Sequence, residues 1–266
     1  MHIDPETGII IHDKDNIISM RKAGKLAAEV LDYITPFIVP GVTTETLDQK
    51  CHTYIIKNNA IPAPLNYKGF PKSICTSINH VICHGIPGDR ILINGDIINI
   101  DITVILDGWH GDTSRMFWVG QPGVKAKKLV ETTFEAMWRG IKEVKPGATL
   151  GDIGYAIQNF AEKKGYSVVR DFCGHGIGKV FHDNPSVLHY GNKNEGTILK
   201  EGMFFTIKPM INVGNYEVKI LKDGWTAVSR DKSLSAQFEH TLCVTQSGYE
   251  VFTLSPKSLN YPPFEL

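Results

Sequence analysis

One order of elements occurs twice along this chain: two helical stretches divided by a proline–glycine pair, then a series of strands. From Asn16 to Phe37, apolar residues such as Met20, Ala23, Leu26, Ala27, Val30, Leu31 and Ile34 recur at helical spacing. Pro40-Gly41 ends that pattern, and Thr43-Thr44-Glu45 opens a second helix running to about Asn58. Lys125–Val144 and Thr149–Gly165, on either side of Pro146-Gly147, repeat the arrangement. Runs rich in Ile, Val, Phe and Thr follow each pair. They read as strands at Ile97–Leu106, Thr113–Val119, Met203–Asn212, Gly224–Ser229 and Gln237–Thr245. Helix pairs each followed by strands predict an internally duplicated α+β domain, with helices packed on one face of a mainly antiparallel sheet. At 266 residues the chain is near the upper limit for one hydrophobic core.

Charge excludes some partners. Lys plus Arg and Asp plus Glu both number 28, so the balance is neutral. Neither the basic footprint of a nucleic-acid binder nor the polybasic stretch of a membrane-surface protein is present. No apolar stretch is long enough to cross a bilayer. The first twenty residues lack the basic start and apolar run of a signal peptide. Five cysteines, Cys51, Cys75, Cys83, Cys173 and Cys243, include no Cys-x-x-Cys pair, which argues against zinc ribbons and disulfide frameworks. A reducing cytoplasm is the expected setting.

Three segments carry chemistry. In NIDITVILDGWHGDTSR, Asp101 lies within an apolar strand and shares its face with Thr103 and Ile105. A carboxylate there is costly unless a cation or donors neutralise it. A hairpin turn at Asp107-Gly108 brings Asp112 alongside. Alone, the two aspartates fit a loop cap and a partly exposed carboxylate as well as they fit a paired site. In CGHGIGKVFH, glycines at 174, 176 and 178 let backbone approach closely around His175, and His182 follows seven residues later. Two satisfied structural histidines would explain that segment equally. In SLSAQFEHTLCV, Glu239 opens an apolar strand and needs a partner. Two Asp, one His and one Glu form a hard, oxygen-rich set, suited to Mn, Fe, Co or Zn in a two-metal hydrolytic site.

At this point a resemblance becomes specific. NIDITVILDGWHGDTS, CGHGIGKVFH, GMFFTIKPM and SLSAQFEHT resemble the successive signature blocks of type I (bacterial) methionine aminopeptidases, as do PAPLNYKGFPKSICTSIN and VICHGIP. The resemblance covers nearly all of the chain, which is also similar to alphaproteobacterial versions such as those of rickettsiae. It implies the pita-bread (creatinase/aminopeptidase) fold, an internally duplicated domain with helix pairs packed on a mainly antiparallel curved sheet. It implies a single catalytic domain over residues 1–266, with residues 1–15 as an N-terminal extension. Creatinases and prolidases carry a further N-terminal domain, for which the residues before Asn16 leave no room.

The implied activity is removal of the initiator methionine from nascent proteins when the next residue is small, by hydroxide held on two divalent metals. Asp101, Asp112, His175 and Glu239 would be ligands, Asp112 and Glu239 bridging. His84 and His182 would hydrogen-bond substrate and stabilise the tetrahedral intermediate. Tyr67, Phe70, Cys75, Phe181 and Trp225 would form the methionine pocket, although ordinary core packing would also account for them. The family expectation is a monomer whose substrate is the N-terminal Met of nascent peptides. Family members bind ribosomes, but no patch in this sequence marks that partner.

One position departs. The block FTIKPM has Lys208 where the family has a glutamate ligand. An ammonium has three donors and no lone pair, so it cannot ligate. Four carboxylates balance two divalent cations, whereas three carboxylates and one ammonium balance one. This predicts an impaired enzyme with a single metal. The ammonium is expected to replace the metal beside His175 and to pair with Asp112 or Glu239, leaving the Asp101–Asp112 side intact. The rival function is a metal-poor binding module that captures N-terminal methionine. Lys208 is its only support, and four retained ligand positions argue against wholesale decay.

Overall fold

The structure, a computed structural model, describes residues 1–259 and 261–264. Among these, four α-helices form: α1 (Lys14–Ile34), α2 (Thr44–Lys57), α3 (Val124–Lys142) and α4 (Leu150–Lys163). Three starts are set by side-chain caps that satisfy unpaired amides of the first turn. Asp13 accepts from the Asn16 N–H and Thr43 from the Thr46 N–H, while Thr149 and Asp152 cap reciprocally. α1 ends earlier than its apolar pattern, because Pro36 converts Thr35–Phe37 into a tighter 3-10 turn.

Each helix pair covers its own core. Leu26, Val30, Leu31, Leu47 and Ile55 of α1 and α2 pack with Ile98, Ile100, Ile102 and Val104. Leu129, Met137, Ile141, Ile153 and Ile157 of α3 and α4 pack with Met203, Phe205, Ile207 and Ile211. Burying each such side chain contributes about 1.5–3 kcal/mol, so these stripes hold the helices on the strands.

The strand Ile97–Leu106 forms as expected and pairs antiparallel with Trp109–Trp118. Asp107 and Gly108 turn the chain with positive φ of 50° and 79°, the two-residue hairpin geometry that matches strand twist. Pairing runs right up to that turn, so the second strand begins at Trp109 rather than Thr113. α1 lies on this hairpin, and Arg115 Nη1 donates to Asp32 Oδ1 across the contact at 3.0 Å.

Two expected strands are interrupted. Met203–Asn212 is instead Phe204–Ile207 and Met210–Asn212, parted at Lys208-Pro209, where Pro209 has no N–H to give a ladder. Gln237–Thr245 is Ser235–Gln237 and His240–Val244, parted at Phe238-Glu239. Gly224–Ser229 shortens to Ala227–Ser229, because Asp223 accepts from the Trp225 and Thr226 amides and holds a turn. Short strands that the pattern does not show, Cys75–Ile78 and Gly174–Gly176, pair with Ile97–Leu106 and Phe204–Ile207. All strand pairs among the described residues are antiparallel.

The halves meet where Val81–Cys83 pairs with Ala227–Ser229, and again at a bridge of Ser114 with Glu239, whose backbones exchange hydrogen bonds of 3.2 and 3.1 Å. The Thr113 hydroxyl donates to the Glu239 carbonyl, and the Thr241 hydroxyl to the Asp112 carbonyl. The N-terminal hairpin of His2–Ile3 and Ile10–Ile11 is tied down by Lys200, which donates to Asp4 and Glu6. No helix among the described residues is long and apolar enough to cross a membrane.

Candidate active site

Hairpin register decides the first two carboxylates. Asp101 lies opposite Ser114, and Thr103 opposite Asp112, so all four share one face. The Thr103 hydroxyl donates to Asp112 Oδ1 at 3.0 Å. The Ser114–Glu239 bridge then carries Glu239 to the same place. His175 arrives on the strand Gly174–Gly176. A Cβ at Gly176 would lie 1.9 Å from the Asn184 carbonyl oxygen, so only glycine permits that approach.

His175 Nδ1 donates to the Gly176 carbonyl at 3.0 Å, which orients the ring. Its Nε2 then sits 3.4 Å from Asp112 Oδ2 and 4.0 Å from Glu239 Oε1. Ligand-type atoms of Asp112, His175 and Glu239 lie within 4.8 Å of one another. Glu239 is wholly buried, and neither of its carboxylate oxygens accepts a hydrogen bond among the described residues. Two buried carboxylates so placed cost several kcal/mol each unless a cation joins them. The donor set and its unmet demand fit a divalent metal.

Lys208 enters at the strand break. His189 Nε2 accepts the Lys208 N–H at 2.9 Å, replacing the missing ladder bond. The ammonium donates to Asp101 Oδ2 at 2.6 Å and lies 2.8 Å from Glu239 Oε2 without hydrogen-bond alignment. This corrects the sequence expectation in part. The contact with Glu239 holds, but Asp101 takes the place of Asp112. Asp112 is already engaged by Thr103 and His175, whereas Lys208 is the sole hydrogen-bond partner of the Asp101 carboxylate among the described residues. The ammonium therefore lies beside Asp101 and Glu239, while His175 faces Asp112 and Glu239.

The ionisation pattern follows from burial and these contacts. Burial lifts Asp101 and Glu239 above the usual carboxylate range, with Lys208 offsetting only part of the effect. Burial also acts on Asp112, but His175, with Lys208 and His182, outweighs it and holds the carboxyl low. Burial opposes a charged Lys208, yet Asp101, Glu239 and Asp112 keep its pKa well above the ordinary lysine value.

A cavity of about 640 Å³ is lined by every residue singled out in the sequence except Glu239, which is fully buried. Phe70 meets Trp225 edge-on at 5.2 Å, and Tyr67 lies 4.8 Å from Phe181. Tyr67 also stacks on His182 at 5.3 Å, and its hydroxyl is 2.9 Å from His182 Nδ1. Cys75 is buried at the edge of the Asp101 strand. His84 adopts φ of 56°, the left-handed turn that follows the strand Val81–Cys83. Thr103, Phe172 and Met210 line the cavity too, and sequence reading missed them as site residues. Thr103 was detectable from its place on the Asp101 face. Phe172 and Met210 carry no mark that separates them from core residues. The role of His189 was also missed, since its contact with Lys208 exists only in the folded chain.

Comparison with known proteins agrees with this geometry. The model of metallopeptidase family M24 matches residues 18–246. The chain belongs to metallopeptidase family M24. Within that family it is 65% identical over 257 residues to the methionine aminopeptidase of Rickettsia prowazekii, covering 96% of this chain and 99% of the relative. The crystal structure of the Rickettsia prowazekii methionine aminopeptidase superposes with a TM-score of 0.92, covering 92% of this chain and 100% of that one. The Thermotoga maritima methionine aminopeptidase, at 36% identity, gives a TM-score of 0.90 over 92% of this chain and 99% of that one. The four helices and antiparallel strands are thus the pita-bread arrangement of this M24 metallopeptidase, on its bacterial methionine aminopeptidase branch.

Proposed function

We propose that this chain removes the N-terminal methionine from nascent proteins whose next residue is small, by metal-assisted hydrolysis of the first peptide bond. The observation that carries the reading is a shared space: Asp112 and His175, clustered with the buried Glu239, open on the same cavity as an aromatic pocket. Methionine is unbranched and polarizable, and its thioether gains from contact with aromatic rings. Tyr67, Phe70, Cys75, Phe181 and Trp225 supply that surround. Asp112, His175 and Glu239 would hold a divalent ion such as Mn, Fe, Co or Zn. When bound, the ion supplies Lewis-acid polarisation and makes water more acidic.

The protein's own groups do the rest. Burial, reinforced by the Lys208 charge, pushes the His84 pKa down to about 4. Partial burial and the neighbouring His175 lower His182 as well, although the residue is exposed to solvent. Both imidazoles are therefore neutral near pH 7. With the Tyr67 hydroxyl donating to Nδ1 of His182, Nε2 carries the proton and is free to donate. Such a donor stabilises a carbonyl oxygen as it gains negative charge, an effect of about 2.7–4 kcal/mol. A crowded site would favour small second residues.

We read the chain as one catalytic domain behind an N-terminal extension of residues 1–15, acting as a monomer on chains emerging from the ribosome. Five unpaired cysteines support a reducing, cytoplasmic setting. The test is methionine release from Met-Ala-Ser with Mn, Fe or Co supplied. Release, and slower release from Met-Leu-Ser, is expected. No release with any of the metals overturns the reading.

A further inference from the structure

Glu239 faces two ways. Its Oε1 looks toward His175 Nε2 at 4.0 Å, and its Oε2 toward Lys208 Nζ at 2.8 Å. Asp101 is on the ammonium side, 2.6 Å from Nζ, while Asp112 Oδ2 is on the imidazole side, 3.4 Å from Nε2. The carboxylates are thus sorted into one pair around a built-in cation and one pair beside a histidine, with Glu239 shared.

We infer that this chain binds a single divalent cation, held by Asp112, His175 and Glu239, and that the Lys208 ammonium takes the position of a second one between Asp101 and Glu239. The inference rests on the reading of this cluster as the metal centre and adds what Lys208 does there. A carboxylate oxygen approaches a divalent transition metal to about 2.0–2.2 Å. A metal between Asp101 and Glu239 would overlap an ammonium already 2.6 and 2.8 Å from the same oxygens. Lys208 lines the cavity, and its ammonium is held by the two carboxylates. Its amide is held by His189, Pro209 follows it, and the residue is buried. Charge agrees with geometry: three carboxylates less one ammonium leave two negative charges, the demand of one divalent ion. Asp101 accordingly acts as a positioning residue for Lys208, and Asp112 and His175 as ligands.

Manganese binding measures this directly. Equilibrium dialysis of the full chain against Mn²⁺ is expected to give one equivalent. Its electron paramagnetic resonance spectrum should be that of isolated Mn²⁺, without the exchange coupling of a metal pair. Lys208→Glu should bind two equivalents with a coupled spectrum, and adding Asp101→Asn to it should return the count to one. Two equivalents in the unaltered chain overturn the inference, as does none, or a Lys208→Glu variant that still takes one. Methionine release from Met-Ala-Ser, assayed in parallel, separates the two claims. One Mn²⁺ bound, with no release under Mn, Fe or Co, sinks the aminopeptidase reading and spares this inference, whereas two bound with release does the reverse.

Discussion

The two halves of the molecule are built from the same parts, a helix pair over antiparallel strands, yet they deliver site residues by different means. In the first half, Ile97–Leu106 and Trp109–Trp118 run unbroken for ten residues each, and register alone puts Asp101 and Asp112 on one face. In the second half the strands stop at Lys208 and at Glu239. There the lost ladder bonds are replaced by contacts from elsewhere: His189 on the Lys208 amide, Ser114 on the Glu239 backbone. The first half is a platform whose geometry follows from pleat and turn. The second half holds its charged groups through non-local contacts, so a change there should disturb chemistry and stability together.

The largest expected break is Glu239→Ala, which removes the group shared by both sides of the cluster. Methionine release should fall at least about a thousandfold, about 4 kcal/mol of barrier, and a loss of only a few-fold would mean that the second half is dispensable. Lys208→Glu tests the other strand break in the opposite direction. A rise of at least about a hundredfold in release, about 2.7 kcal/mol, is expected from restoring a ligand in place of the ammonium. Equal rates would show that the ammonium does no harm.

Two glycines compare the halves by stability. Gly176→Ala forces a Cβ to within 1.9 Å of a carbonyl oxygen and should cost about 3 kcal/mol in urea unfolding, through displaced strands. Gly108→Ala only strains a turn residue at φ of 79° and should cost about 1 kcal/mol. The reverse order would contradict the contrast drawn between the halves.

Acid should act on the second half through His189, which is fully buried and whose pKa burial and Lys208 push down to about 3. Its ordinary value is about 6.5, so between these values the unfolded chain binds the proton and the folded chain does not. Stability is therefore unaffected above pH 6.5 and is lost as pH falls toward 3. At pH 5 this amounts to about 2 kcal/mol relative to pH 7. His189→Gln, whose amide oxygen can still accept the Lys208 N–H, should flatten the acid loss by that amount. An unchanged pH dependence would remove His189 from the account.

Helix pairs and the hairpin turn were legible in the sequence, because each rests on local rules, and Asp101, Asp112, His175 and Glu239 stood out as candidates. His84, by contrast, came only through the resemblance, and the second hairpin strand starts earlier than its pattern. Period, proline–glycine punctuation and the Asp107-Gly108 turn act within a few residues of themselves. The resemblance of the signature blocks added the fold and the pocket. The strand breaks were less legible, since an apolar run reads as continuous until a partner strand fails to pair with it. Pro209 was a local warning at one break, but Phe238-Glu239 offered none.

The sequence by itself thus determined the helix pairs, the hairpin turn and the charge that the candidate residues bring, including the one ammonium at Lys208. Only the tertiary structure decided which carboxylates that ammonium pairs with. Thr103 and His175 engage Asp112, one from a neighbouring strand and one from a strand distant in sequence, and leave Asp101 and Glu239 to Lys208. Charge is a property of composition. Competition for a carboxylate depends on distances across strands, and those exist only once the chain has folded.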